Sequence, residues 1–269
     1  MANQSDFAGR YGSWALIAGA SEGIGAEYAE QLAARGLNLV LVARRAELLQ
    51  SLASELSQKY NIETKTMPLD LSANDAVEQM IEQTKGSEIG LMVYNAAFSA
   101  IGPFLERSLE NHIKEVNTNA FTPLKLVYFF AQPMLARSRG GIVLMSSLSA
   151  FQGSAYISTY AATKAFNIVL AEGLWEEWRG RGVDVLVCVS GAVKTPNYVA
   201  SEPEKTGGLG DMTIKPDQVV REALNALGKG PYVIPGRMNR ISSFVMRHVL
   251  PRRLTIQFMG RILRQMYVK

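Results

Sequence analysis

Along most of the chain, short apolar runs alternate with longer stretches in which apolar side chains recur with a helical period. A short apolar run bounded by turn formers marks a buried strand, and a period near 3.6 residues marks a helix packed on one face. The first predicted strand spans 14–18, and the first predicted helix spans 24–35 and is closed by Gly36. Further strands are predicted over 38–43, 62–67, 90–94, 141–145, 183–189 and 232–234, with helices over 46–60, 73–84, 109–137, 160–181 and 217–228. Strands separated by helices pair in parallel through crossovers of one hand. The expected fold class is therefore α/β, a doubly wound seven-stranded parallel sheet with helices on both faces. No repeat, low-complexity tract or linker precedes residue 201, so residues 1–236 read as a single domain followed by a basic amphipathic extension over 237–269.

Between the first strand and the first helix lies Gly19-Ala20-Ser21-Glu22-Gly23-Ile24-Gly25. Glycines here permit a tight turn and let the helix N-terminus approach a pyrophosphate, whose charge suits the exposed N–H groups. The spacing departs from the common G-x-G-x-x-G fingerprint, and glycines after a strand are frequent. The strand-turn-helix setting is what points to a Rossmann-type dinucleotide site. The second strand ends in Ala43, without a carboxylate for a ribose 2′-hydroxyl, and Arg44-Arg45 follow. Cations are disfavoured at a helix N-terminus, so these arginines point to a 2′-phosphate, and hence to NADP(H), rather than to two solvated side chains.

Tyr160 and Lys164 are four residues apart in a predicted helix and so share a face. An ammonium beside a phenol favours the phenolate and lowers its pKa from about 10, which suits proton transfer. The spacing alone also fits an ordinary surface pair. Ser147 adds specificity, because it closes the apolar run 141–145 two residues on and stands thirteen residues before Tyr160, across a Gly/Ser-rich loop.

Composition narrows the chemistry. The 269 residues are 48% apolar and 19% charged, which fits one folded domain and excludes a disordered chain. Cys188 is the one cysteine, within an apolar run, so an internal disulfide is impossible. His112 and His248 lie in unrelated surroundings, which argues against a histidine metal site or a Ser-His pair. The N-terminus lacks a basic segment followed by an apolar one, and no run approaches the ~18 apolar residues of a membrane span, so a cytoplasmic protein is expected.

Together these residues resemble the short-chain dehydrogenases/reductases over nearly the whole chain, from Trp14 to about Ile234. The resemblance implies hydride transfer on nicotinamide, with Ser147, Tyr160 and Lys164 as the catalytic serine, tyrosine and lysine. Asn117, in Glu115-Val116-Asn117-Thr118-Asn119, resembles the asparagine that holds a water near the lysine, with Asn119 as the nearby alternative. Cofactor contacts are implied for Gly19, Ser21, Gly23, Ile24, Gly25, Arg44, Arg45, Asp70, Leu71, Asn95, Ala96, Ala97, Tyr160, Lys164, Val193 and Thr195. The sequence departs from the family where Ala18 replaces a threonine that ties the glycine turn to the fourth strand, at Ala97 for a glycine, and at Ser190 before Gly191. Family members pair their two long helices into homodimers or homotetramers, and Trp175 and Trp178 lie on the second of these helices, at such a contact or in the intramolecular core.

Phe98, Ile101, Phe104, Phe151, Tyr156, Tyr198 and Met212 are the expected lining of a mostly apolar pocket, and 194–211 is the expected lid. These features favour a lipophilic ketone or alcohol of steroid or acyl type. The glycine turn and Pro235-Gly236-Arg237 are most similar to the 3-oxoacyl and hydroxysteroid branch. The alternatives are a 3-oxoacyl carrier-protein reductase, whose chain would stop near the last strand, and a non-catalytic NADP(H) sensor, which would not need both Tyr160 and Lys164.

Charge is concentrated at the C-terminus. Residues 223–269 carry nine Lys and Arg and no Asp or Glu, leaving 19 against 24 in the rest of the chain. Two short helices are predicted around Pro251, the second with Phe258, Met259, Ile262, Leu263 and Met266 on one face and Arg253, Arg261 and Arg264 on the other. Such a helix lies in a lipid interface, closes the substrate pocket, or packs on a neighbouring subunit. Nucleic acid is not expected, because aromatics are few and the rest of the chain is acidic.

Overall fold

The computed structural model describes residues 4–200 and 213–267. Its core is set by the period-two alternation of the strands. In β1 (Trp14–Ala18), Ala15 and Ile17 enter one apolar cluster, and Trp14, Leu16 and Ala18 enter the other. β2 (Asn38–Ala43) sends Leu39 and Leu41 to the first cluster and Val40 and Val42 to the second. Strands buried on both faces need a helical layer on each side, as a doubly wound sheet provides.

The remaining strands are β3 (Thr64–Pro68), β4 (Ile89–Tyr94), β5 (Gly140–Ser147), β6 (Val183–Ser190) and β7 (Tyr232–Val233). All seven pair in parallel in the order β3-β2-β1-β4-β5-β6-β7. The order reverses beside β1, which opens a crevice at the carboxyl ends of β1 and β4. One face carries α2 (Gly23–Ala33), α3 (Ala46–Tyr60) and α9 (Pro216–Ala226), through Tyr28, Leu32, Leu49 and Val220. The other carries α4 (Ala76–Thr84), α6 (Thr122–Ala136) and α7 (Ser158–Glu177), through Met80, Leu126, Phe130 and Ile168.

Several boundaries differ from the periodicity reading. A helix α1 (Gln4–Tyr11) precedes the sheet and buries Tyr11, whose hydroxyl donates to Asp184 at 2.8 Å. It is too short and too polar to show a period. The predicted helix 109–137 is α5 (Leu109–Val116), a π-helical turn Asn117–Phe121, and α6. Trp178 is buried in the core and Trp175 packs against it, so both are intramolecular. The C-terminal region is α10 (Arg237–Phe244), a π turn Val245–Val249 and α11 (Arg252–Tyr267), joined at Pro251 as predicted. Asn239, Ser243, Thr255 and Leu263 anchor it. No helix among the described residues is long and apolar enough to cross a membrane.

Candidate active site

The glycine turn is built by close approach. Gly19 has φ +84°, and a Cβ there would lie 2.6 Å from the Ala96 nitrogen, while a Cβ on Gly25 would collide with the Gly19 carbonyl oxygen. The expected tie to the fourth strand survives the loss of threonine at Ala18. Asn95 Nδ2 donates to the Gly19 carbonyl at 2.9 Å, and the Asn95 and Ala96 N–H groups donate to the Ala18 carbonyl at 2.9 and 2.8 Å.

Beside this turn lies a cleft of ≈ 410 Å³. Gly19, Ser21, Gly23 and Ile24 line it on the turn side, and Arg44 and Arg45 at the end of β2. Asp70, Leu71, Asn95, Ala96, Ala97 and Thr195 also line it. Four expected contacts do not: Tyr160 and Lys164, which belong to α7, and two that stand behind the turn. Gly25 closes the turn, and buried Val193 accepts the Thr195 N–H at 2.7 Å.

The cleft suits a phosphorylated dinucleotide. α2 starts without a side-chain cap and without an acid in its first turn, so its terminal N–H groups remain available to an anion. The two arginines differ. Arg45 is engaged by Glu22 at 2.8 Å and by Ser21 Oγ at 3.1 Å, whereas Arg44 makes no hydrogen bond or ion pair among the described residues. Lys114, absent from the sequence reading, also lines the cleft and pairs with Asp70 at 3.5 Å. Its place on an ordinary solvated helix face gave no signal.

The chemistry-bearing hydroxyls meet where β5 ends and α7 begins. Ser147 ends β5, and its Oγ accepts from the Ser149 N–H at 3.3 Å and the Ser149 hydroxyl at 3.0 Å. Tyr160 lies in the first turn of α7. Burial pushes the Tyr160 phenol up to about 12, the nearby Ser147 hydroxyl opposes this, and Glu115 and Tyr267 add to it. The expected lowering by an ammonium is not among these influences, and desolvation dominates. Lys164 is 2% exposed, donates Nζ–H to the Met145 carbonyl at 3.1 Å, and lies 5.6 Å from the Tyr160 ring centre. Burial pulls it down to about 8 against the raising effect of Glu115. Ser146 Oγ bonds the Lys164 carbonyl at 2.8 Å and pins α7 to β5.

The two asparagines separate by their bonds. Asn119 is fully buried, exchanges hydrogen bonds with both backbone groups of Phe98 at 2.8 Å, and reaches Thr163 at 3.2 Å. Its side chain is committed to structure. Asn117 opens the π turn and makes no side-chain hydrogen bond among the described residues. Glu115, which sequence reasoning missed, is 1% exposed, accepts from the Ala100 N–H at 3.2 Å and has its carboxyl raised by burial.

The expected pocket lining divides. Phe98 lines the dinucleotide cleft. Phe104 is 55% exposed and stacked on His112, so it is surface and not pocket, because the short helical turn it starts points it outward. Phe151 lies under Arg247, 4.2 Å from its ring centre. Ile101 is half-buried, and Tyr156 and Tyr198 face α11. Met212 and residues 201–211 of the expected lid lie outside the described residues, and α8 (Pro196–Ala200) begins that segment.

A doubly wound sheet, a glycine turn at its switch point and a Ser-Tyr-Lys group where β5 ends and α7 begins define a dinucleotide-dependent oxidoreductase of the Rossmann class. The short chain dehydrogenase family matches residues 13–206, and the chain belongs to that family. It therefore acts on CH–OH or the corresponding carbonyl with a nicotinamide cofactor. The chain is 36% identical over 235 residues to a 7beta-hydroxysteroid dehydrogenase of Collinsella aerofaciens, covering 87% of this chain and 89% of the relative. It is 31% identical over 275 residues to the very-long-chain 3-oxoacyl-CoA reductase of Rattus norvegicus, covering 99% and 86%. A solved 7beta-hydroxysteroid dehydrogenase matches with TM-score 0.88 and 33% identity over 94% of this chain and 98% of its own. A short-chain dehydrogenase from Sphingobium yanoikuyae in complex with NADPH matches with TM-score 0.76 and 26% identity over 88% and 96%.

Proposed function

We propose that the chain is an NADPH-dependent carbonyl reductase or alcohol dehydrogenase for a lipophilic ketone or alcohol of steroid or acyl type. The observation that carries this reading is the gathering of Ser147, Tyr160 and Lys164 where β5 ends and α7 begins, tied through Asn119 and Thr163 to Phe98 of the dinucleotide cleft, with Arg44 unpaired at the cleft's edge among the described residues. Bound nicotinamide supplies or takes the hydride. Ser147 and Tyr160 hold the substrate oxygen, and Tyr160 gives it a proton in reduction or removes one in oxidation. Lys164 orients the cofactor ribose and supports the Tyr160 charge, and Asn117 holds the water that resupplies the proton. Arg44 receives the 2′-phosphate as a fork.

The names of the relatives support steroid and acyl substrates equally. The carrier-protein reductase is disfavoured by the tail, which packs on the loop before α7 at Phe151, Ala155 and Tyr156. A sensor has no use for the Tyr160–Lys164 pair. Steroid, 3-oxoacyl and short aliphatic ketones should be scored by consumption of NADPH and of NADH. Turnover of the first two classes with NADPH is expected, and tight NADPH binding without turnover of any ketone would favour the sensor.

Two surfaces extend the reading to partners. On α6 and α7, Leu124, Tyr128, Phe129, Phe166 and Val169 are exposed, a face suited to a homodimer. On the C-terminal region, Met238, Phe244, Val249, Leu254 and Phe258 are exposed among arginines with no acid. This face fits peripheral contact with an anionic membrane. Sedimentation with anionic vesicles, lost when residues after Gly236 are deleted from a chain that stays folded, is the expected outcome. No binding even at low salt would remove the membrane reading.

A further inference from the structure

We propose that α11 is the wall of the substrate cleft that recognises an anionic group at the far end of the lipophilic substrate, with Arg264 as the receiving cation. This rests on the reductase reading and adds the second end of the substrate. The starting observation is Tyr156, four residues before Tyr160, at φ +65°. A bulky side chain in that region carries strain and persists only where its surroundings fix it. Tyr156 is fixed at both ends. Its carbonyl accepts the Gly102 N–H at 2.9 Å, and its hydroxyl accepts the Arg264 Nε–H at 2.9 Å.

That bond leaves a defined recognition group. Nε is occupied, while the two terminal amino groups of Arg264 have no partner among the described residues, and the side chain is exposed. A guanidinium held by one nitrogen offers the other two as a planar fork, the geometry that carboxylate and phosphate oxygens accept. α11 carries Arg252, Arg253, Arg261 and Arg264 and no acid, so no residue of the helix neutralises the fork.

The same helix packs on the loop that leads into Tyr160, at Tyr156 and at Ala155, and the charge of Tyr267 at its end would raise the Tyr160 and Tyr198 phenols. Further back, a Cβ on Gly260 would lie 3.7 Å from Ala155. At a rise of about 1.5 Å per residue, Arg264 lies about 4.5 Å and Arg261 about 9 Å along the axis from Tyr267. A substrate with its oxygen at Tyr160 and its body along α11 thus passes a phenol first and cations beyond it. The class is an amphipathic ketone or alcohol with a distal carboxylate or phosphate, either part of the lipid itself or of a carrier thioester.

The test compares kcat/KM with NADPH for a steroid ketone bearing a side-chain carboxylate and its methyl ester, with a 3-oxoacyl-CoA and its short neutral thioester as a second pair. Wild type should prefer the anionic member, and Arg264→Gln should reduce that preference about tenfold or more through KM, with Arg264→Lys recovering part of it. Loss confined to the steroid pair assigns the fork to carboxylate, and loss confined to the thioester pair assigns it to phosphate. Calorimetric binding of the carboxylated alcohol and its ester at saturating NADP⁺ should give the same ranking without turnover. If α11 were only a structural cover, Arg264→Gln would weaken both members of each pair alike. That result, or a wild type indifferent to the charge, overturns the proposal. Reduction of none of the ketones would instead defeat the reductase reading, and the calorimetric pair would still decide the role of Arg264.

Discussion

Burial drives Tyr160 and Lys164 in opposite directions and toward the same charge, zero. The phenol is raised to about 12 and the ammonium lowered to about 8, because the low-polarity space between β5 and α7 disfavours either ion. In reduction the phenol must arrive protonated, a condition met throughout the ordinary range, so the pH dependence falls to Lys164. Reductive kcat/KM is expected to hold below about pH 8 and to fall as Lys164 loses its proton. A profile flat beyond that point would sink the assignment. Tyr160→Phe keeps the ring and deletes the hydroxyl, so turnover should fall roughly 10²-fold or more with NADPH binding kept, and Ser147→Ala should cost less. Wild-type turnover in the phenylalanine variant would remove Tyr160 from the mechanism. Stability carries a second signature. Lys164 is depressed from 10.5 to about 8, so between those values the unfolded chain binds one more proton and stability rises with pH. At neutral pH the buried ammonium costs on the order of 1–3 kcal/mol. Lys164→Met is therefore expected to be inactive and more stable in urea. Destabilisation would mean that the bond to Met145 outweighs the burial.

At the scale of elements, cofactor choice sits in the junction between β2 and α3. α3 starts with no side-chain cap on Arg45, whose guanidinium is spent on Glu22, so the unpaired Arg44 carries the preference. A charged fork contributes about 1.5–3 kcal/mol, so Arg44→Asp should lower the NADPH/NADH ratio of kcat/KM by about tenfold or more. Equal use of both cofactors by the wild type would contradict this. The π turn between α5 and α6 was invisible in the sequence, because the backbone at both its ends keeps helical φ and ψ and one added residue in a turn leaves no mark in composition. Yet it is where Asn117 and Asn119 part company. One extra residue in the turn shifts the two side chains relative to the helix axis, so that Asn119 meets Phe98 while Asn117 is left without a bond.

Across the whole molecule, the exposed apolar face on α6 and α7 argues for assembly. Phe129 is 43% and Val169 68% exposed, whereas Trp175 and Trp178 take the intramolecular alternative. Light scattering at micromolar concentration should report a dimer or tetramer, and Val169→Glu should shift it toward monomer with far-UV circular dichroism unchanged. A monomeric wild type would count against this face.

The sequence by itself determined the seven strands, the parallel doubly wound sheet, the glycine turn, and the Ser147, Tyr160 and Lys164 spacing, because each depends on local period or on a motif with a fixed offset, whereas the order β3-β2-β1-β4-β5-β6-β7 came from the structure. Only the tertiary structure decided what depends on distant partners. Glu115, Lys114 and Tyr156 gain their meaning from Ala100, Asp70 and Arg264, and none of those pairings leaves a trace in neighbouring residues. The tail shows the same division. Its amphipathic period was legible, but which face met the loop before α7 was not, since α11 reaches Tyr156 from about a hundred residues away and burial alone selects the side that packs.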